Sequence, residues 1–347
     1  MLAAIAEARH HVHLDTYILH EDATGRRFQE ALVECARHGC RVRLIYDSLG
    51  SFTLPASYLN VLTGAGIEVI EFHPVAPWRA RWSWNKRDHQ KMLIVDDRVA
   101  FTGGLNIGDE NMPVEEGGGG WFDWHAEIEG PAVFDIADAF RRTWIQAGGE
   151  PFDEPSMPGP FAGRSVLGVQ VISNIKLKNR WRMNRAYLWA IRRAQREISI
   201  MNAYFIPEFD LRHAFRRAVD RGVVVRVIVP SVSDVPAVFH ASRHLYRRLI
   251  ERGVRIFEWP EQMMHAKFGV IDGVWSTIGT YNLDRRSLHH NLEVGLVVID
   301  EELGGRLAEE FARDVARCRE VTLAELDALS TWQRAFGWFC YQFRYWM

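Results

Sequence analysis

The chain has 347 residues, 48% of them apolar and 25% charged, a balance that suits a globular protein with room for two ordinary domains or one large duplicated one. A formal net charge of −2 argues against a dedicated nucleic-acid binder, which is usually more basic, and leaves room only for a local basic patch. No apolar run approaches the roughly 20 residues a membrane-spanning helix needs, His and Glu interrupt the opening MLAAIAEARHH too early for a signal peptide, and Cys35, Cys40, Cys318 and Cys340 show no Cys-x-x-Cys spacing, so the expectation is a soluble or surface-bound protein with reduced thiols.

Taken in chain order, AAIAEARHHVHLDTYI reads as the end of a helix running into a strand. FQEALVECARHGCRVRLIYD follows as an amphipathic helix, a glycine (Gly39) where a helix C-cap wants positive φ, and an apolar strand. YLNVLTGAGIEVIEF repeats helix, glycine and strand, and HQKMLIVDDRVAFTGGLN reads as two strands joined by a turn. Beyond the Gly- and Pro-rich GGEPFDEPSMPGPFAGRS the series starts again: WAIRRAQREISIMNAYFI, LRHAFRRAVDRGVVVRVIVP with Gly222 at the C-cap, LYRRLIERGVRIFEW, and HAKFGVIDGVWSTIGTYN. Helices alternating with short buried strands predict an α/β layered fold. The duplication predicts a first half over 1–147, a linker over 148–165, a second half over 166–320 and a terminal segment over 321–347. GVQVISNIKLKNRWRMNR has no counterpart in the first half, which either lacks an opening strand or begins late. His10, His11 and His13 look like a metal-binding run, but Glu197 and Ser199 lie near the matching positions, so a segment leading into a strand is the better reading and no metal site is assigned.

The repeated element carries chemistry. His, Lys, Asp, Gly and Asn recur at offsets 0, +2, +7, +14 and +17, at His89, Lys91, Asp96, Gly103 and Asn106 and again at His265, Lys267, Asp272, Gly279 and Asn282. One His-x-Lys on a strand is usually an exposed edge; two in matched surroundings are not coincidence. Residues i and i+2 project from one face of a strand, so each His and Lys point together. A neutral imidazole can attack phosphorus, lysines and amides offset charge on the phosphoryl oxygens, and a second histidine can act as acid and then base. No cofactor or metal is required. Asp96 and Asp272 belong to the motif's catalytic set, but each opens a hairpin, where Asp is a favoured turn former, and both read as mainly structural.

These paired motifs, HxKx4Dx6GGxN at 89–106 and HxKx4Dx6GTxN at 265–282, resemble the signature of the phospholipase D superfamily, over nearly the whole chain. The resemblance implies two similar halves, each a mixed β-sheet flanked by helices, packed as a pseudo-dimer around one site. NLDRRSLHHNLEVGLVV looks like the family's extension, in which Glu293 would orient a catalytic histidine. In WFDWHAEIEGPAV, Asp123 and His125 then fall where Asn291 and Glu293 do, making Asp123 the first-half carboxylate. Asn106, Asp123, Thr280, Asn282 and Glu293 are thus expected to bind or orient the phosphate, and Gly104, where many members have Ser, would deprive the first half of one hydroxyl donor. FTGGLNIGDE with WFDWHAEIEGPAV is similar, more narrowly, to bacterial cardiolipin synthases of the phospholipase D type. That similarity implies transfer of a phosphatidyl group from phosphatidylglycerol to a lipid alcohol through a phosphohistidine, with His89 as nucleophile and His265 as acid and base. The alternatives are hydrolysis of a phosphodiester by the same site, as a phosphodiesterase or nuclease, and a catalytically silent membrane-binding protein.

One lipid-directed feature stands apart from resemblance. Trp332, Phe336, Phe339, Phe343 and Trp346 recur every 3–4 residues, with Trp338, Tyr341 and Tyr345 widening the face and Arg334 and Arg344 beside it. Thr322-x-x-Glu325 is a capping box, so a C-terminal amphipathic helix is expected, lying either in the headgroup region of a membrane or against the protein's own core. WRARWSWNKRDH (78–89) and IKLKNRWRMNR (175–185) mix aromatic and basic residues and offer headgroup contacts, a stacking surface for single-stranded nucleic acid, or a solvated face. Gly117–Gly120 reads as a lid or as a tolerated insertion. The expected partners are a phospholipid and the cytoplasmic, inner face of the cell membrane, with no nucleic acid.

Overall fold

A computed structural model describes residues 1–83, 85–152, 168–175, 179–260 and 262–345. Most of the expected linker, Trp84, residues 176–178 of the second basic stretch and Trp346 lie outside the described residues.

In the first half, α1 (Leu2–Ala6), β1 (His11–Thr16), α2 (Ala23–Arg37), β2 (Arg41–Asp47), α3 (Ala56–Gly64) and β3 (Glu68–Phe72) alternate, followed by the meander β4 (Met92–Val95), β5 (Val99–Gly103), β6 (His125–Glu129) and then α4 (Ala132–Ala147). They make one six-stranded sheet, ordered β3-β2-β1-β4-β5-β6, in which β1, β2 and β3 run parallel and β4 turns antiparallel beside β1. The second half repeats this with β7 (Val169–Ser173), α5 (Arg182–Arg193), β8 (Glu197–Asn202), α6 (Phe209–Asp220), β9 (Val224–Pro230), α7 (Pro236–Ile250), β10 (Val254–Trp259), β11 (Lys267–Ile271), β12 (Trp275–Gly279), α8 (Arg285–His289), β13 (Val294–Ile299), α9 (Glu301–Arg317) and β14 (Arg319–Glu320). Its sheet has eight strands, ordered β14-β10-β9-β8-β11-β12-β13-β7. The unmatched stretch ahead of the second half's first helix contains β7, an edge strand paired with β13.

Parallel strands connected by helices are buried on both faces, which explains their near-continuous apolar runs. Val12, Leu14, Val42 and Leu44 face a layer that holds Phe28 and Leu32 of α2 and Tyr58 and Leu62 of α3. Ile45 and Ile94 face the other way, onto Ile136 and Phe140 of α4. That second layer also takes in Leu292, Val294 and Leu296, so the two halves share a core. Leu44 is fully buried, and its truncation to Ala would cost about 2–5 kcal/mol. Gly39 and Gly222 end their helices at φ +90° and +86°, the left-handed conformation expected at these C-caps.

The histidine run is resolved by pairing. His11 and His13 are buried in β1, His11 beside Asp97 (3.4 Å) and His13 beside Arg43 (3.2 Å) and stacked on Phe140 at 4.7 Å. The C-terminal segment departs from the expected single helix. Thr322 and Glu325 do form a capping box, but on the short α10 (Leu323–Asp327), and a second box, Ser330 with Gln333, starts α11 (Thr331–Gln342). Both orphan-donor sets are satisfied separately, so the chain turns between them.

Candidate active site

Each motif hairpin begins with its His/Lys pair and ends with its Asp. His89 and Lys91 lie just before β4, and His265 and Lys267 lie at the start of β11. The hairpin turns carry positive φ at Asp96 (55°), Asp97 (47°), Asp272 (55°) and Gly273 (65°), as a two-residue turn requires. Asp96 accepts the backbone N–H groups of Arg9, His10 and His11 at 2.8–2.9 Å, and Asp272 those of Gln195, Arg196 and Glu197 at 2.8–2.9 Å. Both carboxylates are therefore spent at the far end of the strands, fixing where β1 and β8 begin. The two Asps of the motif thus bond backbone at the hairpin turns, in keeping with a turn-forming part.

The histidines are oriented across the halves. His89 Nδ1 lies 3.1 Å from Glu293 Oε2, and His265 Nδ1 lies 2.8 Å from Asp123 Oδ2. The backbone enforces this exchange. His89 N–H donates to Leu292 O (3.0 Å) and Leu292 N–H to Arg87 O (2.8 Å); in mirror fashion His265 N–H donates to Phe122 O (2.7 Å) and Phe122 N–H to Met263 O (2.9 Å). Each histidine is thus stitched to the chain that presents the other half's carboxylate. With Nδ1 committed to a carboxylate, Nε2 is the ring nitrogen left for chemistry.

The sheet register corrects the alignment of the carboxylates. Gly104 N–H donates to Trp124 O and Thr280 N–H to Val294 O, both at 2.9 Å, so Asp123 matches Glu293, and His125 matches Gly295. The connection between the return strand and the carboxylate is longer in the first half, and the sequence alignment, which set Asp123 on Asn291, was two residues out of register. A Cβ on Gly104 would sit 2.0–2.4 Å from the Asp123 carboxyl group. Thr280, at the matching place, donates its hydroxyl to Glu293 Oε2. The hydroxyl expected to serve phosphate therefore serves the carboxylate, and Gly104 is the space that Asp123 occupies.

Glu293 is held on every side: Ser287 Oγ donates to it at 2.7 Å, Asn291 Nδ2 at 3.3 Å, and Asn174 accepts its backbone N–H at 2.7 Å. Burial still pushes its carboxyl up to about 7. Asp123 behaves otherwise. Burial works to raise it, but Lys267 and the His265 bond outweigh burial and hold it below the usual carboxylate range. Burial, then the cations Lys91 and Lys267, keep His89 well below the ordinary histidine range; burial and Lys267 lower His265 too, against the opposing pull of Asp123. Burial and mutual repulsion bring Lys91 down to about 7, and burial brings Lys267 to about 8. Each ammonium bonds the carbonyl of its own motif histidine and lies over a tyrosine ring, Lys91 over Tyr17 (5.2 Å) and Lys267 over Tyr204 (6.0 Å).

Asn106 accepts Ile18 N–H through Oδ1 (3.3 Å) and keeps a buried Nδ2 with no partner among the described residues; Asn282 likewise has an unpartnered buried Oδ1, while its N–H bonds Ser287 Oγ (3.2 Å). Buried amide groups of this kind are costly unless a ligand or water meets them. The glycine loop is folded on itself, with the N–H groups of Gly118, Gly119 and Gly120 bonded to Pro113, Asp109 and Met112, and it delivers Trp121 to within 5.6 Å of His265. In the basic stretch before the first motif, Trp78 is exposed, but Arg87 is fully buried on Asp47 and the His73 carbonyl and is part of the scaffold, not of a charged surface.

Tyr17 and Tyr204 escaped the sequence reading, although they follow the equivalent strands β1 and β8 and meet the histidine rings of their halves at 5.0 and 6.1 Å. Their recurrence in HLDTYI and IMNAYFI was the available signal. Asn174, from the unmatched segment, carried none.

Three comparisons relate the chain to known proteins. The cardiolipin synthase of Halalkalibacterium halodurans is 35% identical over 321 residues, 92% of this chain and 64% of that protein, and the cardiolipin synthase of Geobacillus kaustophilus is 35% identical over 317 residues, 90% and 63%. The chain thus spans a little under two thirds of the curated relatives it matches. The crystal structure of the phosphatidylserine synthase of Haemophilus influenzae superposes with a TM-score of 0.70 over 100% of this chain and 92% of that one at 14% identity, a likeness of fold. The family described as "Cardiolipin synthase, PLD-like domain" matches residues 1–127 and 187–315, the stretches that hold both crossed histidine pairs, and the chain belongs to that family.

Proposed function

We propose that this protein is a phosphatidyltransferase that moves a phosphatidyl group from phosphatidylglycerol to an alcohol on a second lipid, making cardiolipin or a close relative. The observation that carries the reading is the crossed pairing of two buried histidines with the carboxylates Glu293 and Asp123, beside two buried lysines. His89, kept neutral, attacks phosphorus through Nε2, and the P–O bond to glycerol breaks. His265, whose protonated form the ionised Asp123 favours, delivers a proton to the departing glycerol oxygen. The incoming lipid hydroxyl then returns its proton to His265 as its oxygen attacks the phosphohistidine and frees His89. Lys91, Lys267 and the Asn106 amide offset charge on the phosphoryl oxygens. This chemistry needs no cofactor. No helix among the described residues is long and apolar enough to cross a membrane; the place proposed for the protein is peripheral, on the inner, cytoplasmic face.

The test incubates the protein with phosphatidylglycerol vesicles and a chelator. Cardiolipin and glycerol in equal amounts are expected. Phosphatidic acid alone would replace transfer by hydrolysis, and cleavage of DNA or RNA with no lipid turnover would overturn the lipid reading.

A further inference from the structure

Helix α11 touches the body of the protein along a narrow stripe. Gly337, Cys340 and Tyr341 are its buried residues. Gly337 lies against the His240 carbonyl of α7, where an added Cβ would approach to 3.2 Å, and the Tyr341 hydroxyl accepts a bond from Arg212 at 2.9 Å. The rest of the circumference is aromatic and open. Trp332 is 86% exposed, and Phe336, Trp338, Phe339 and Phe343 are each about half exposed. An apolar face of this density is rarely left uncovered on a soluble protein.

Beside it, α7, α10 and α11 enclose a groove of about 420 Å³. Phe239, Leu326 and Leu329 form an apolar wall, and arginines and histidines form the other. Arg243 and Arg247 are engaged by Glu258 and by Glu251 and Asp327. Arg248 and Arg334 have no carboxylate partner among the described residues, and Arg248 is exposed. An aromatic face bordered by unpaired guanidinium groups, with an apolar slot between, matches an anionic phospholipid: acyl chain against the rings, phosphate between the arginines. Tyr345, just past α11, lies under Arg285 (5.2 Å) and against His290 (5.5 Å), and Arg285 opens the helix that follows Asn282.

We propose that the groove between α7, α10 and α11 is a second lipid site, separate from the His/Lys centre, which holds an anionic phospholipid of the bilayer and seats the protein on the membrane surface. The site stands whether or not the protein is a phosphatidyltransferase.

The test uses the full chain in three forms: unaltered, Arg248→Glu with Arg334→Glu, and Trp338→Ser with Phe339→Ser. Flotation with vesicles of phosphatidylglycerol and phosphatidylcholine is compared with flotation on phosphatidylcholine alone. The unaltered protein is expected to float only with the anionic vesicles, and each double variant to lose tenfold or more of its partition. Turnover of a short-chain phosphatidylglycerol below its micelle concentration is expected to be unchanged. Variants that float like the unaltered protein, or equal binding to neutral vesicles, would overturn the proposal. So would variants that lose short-chain turnover in parallel, or full competition by inorganic phosphate. A lipid-free dimer dissolved by Trp338→Ser with Phe339→Ser would assign the face to a second copy instead. If no form turns over lipid while the flotation difference persists, the catalytic reading fails and the docking site stands.

Discussion

The two halves solve one problem in two ways. In the second half a long carboxylate, Glu293, reaches His89 and is held by Thr280, Ser287 and Asn291; in the first, a shorter Asp123 reaches His265 through the space left by Gly104. Glu293 sits near 7, whereas Asp123 is held ionised below the usual range. An ionised partner stabilises an imidazolium, and a carboxyl that shares its proton near neutrality tolerates a neutral imidazole. The difference teaches that two copies of a motif can be given unlike electrostatic surroundings by their neighbours while the motif itself stays intact, which is the basis of the division of labour proposed above.

The largest expected effect tests that division directly. His89→Asn and His265→Asn should each lower turnover by about 10³-fold or more, near the upper range for acid–base groups. With a lipid labelled in its phosphate, acid quenching should trap a phospho-enzyme in the His265→Asn protein and none in His89→Asn; the reverse pattern would exchange the two roles. Next come the carboxylates. Asp123→Asn should cost about 10²-fold in kcat and Glu293→Gln about tenfold, because only the first removes a charge that the histidine's protonated form depends on. Equal losses would mean that the halves differ in shape and not in electrostatics.

The Gly104 side of the comparison follows. Gly104→Ser should displace the Asp123 carboxyl, and a shift near 1 Å costs up to about 10²-fold. Thr280→Ser keeps the hydroxyl on Glu293 and should stay within about threefold of the parent, since a single hydrogen bond with slightly altered geometry is worth about 1 kcal/mol or less. The smallest effect is in pH. As pH rises, His265, held below the ordinary histidine range, loses the proton it must deliver, and Lys91 near 7 and Lys267 near 8 then lose theirs, so kcat/KM should fall on the alkaline side in steps. His89 stays neutral below the ordinary histidine range, which places the acid limb lower than a free imidazole would. Lys91→Arg, which cannot deprotonate in this range, should remove the step near 7 and leave those of His265 and Lys267.

Local patterns were legible and long-range ones were not. Identical offsets exposed His89/Lys91 and His265/Lys267, and Gly39 and Gly222 marked helix ends because a left-handed backbone favours glycine. The exchange of carboxylates between halves left no trace in spacing, because it depends on backbone bonds between residues about 200 and 140 apart. Asp123 was found, but in the wrong register, since the loop before it is longer than its counterpart. The tail's amphipathic pattern predicted a helix; its break was written in Ser330 and Gln333, a second cap that the first one overshadowed.

The crossing of the two chains at the site has a further meaning for how such a protein can change. Were each half a separate gene product pairing with a copy of itself, any substitution would appear twice, once on each side of the symmetry axis. Asp123 over Gly104 could then never coexist with Glu293 under Thr280. Covalent fusion lifts that restriction, and it does so without releasing either half, since each histidine still leans on the other half's backbone. The halves are free to specialise and unable to part.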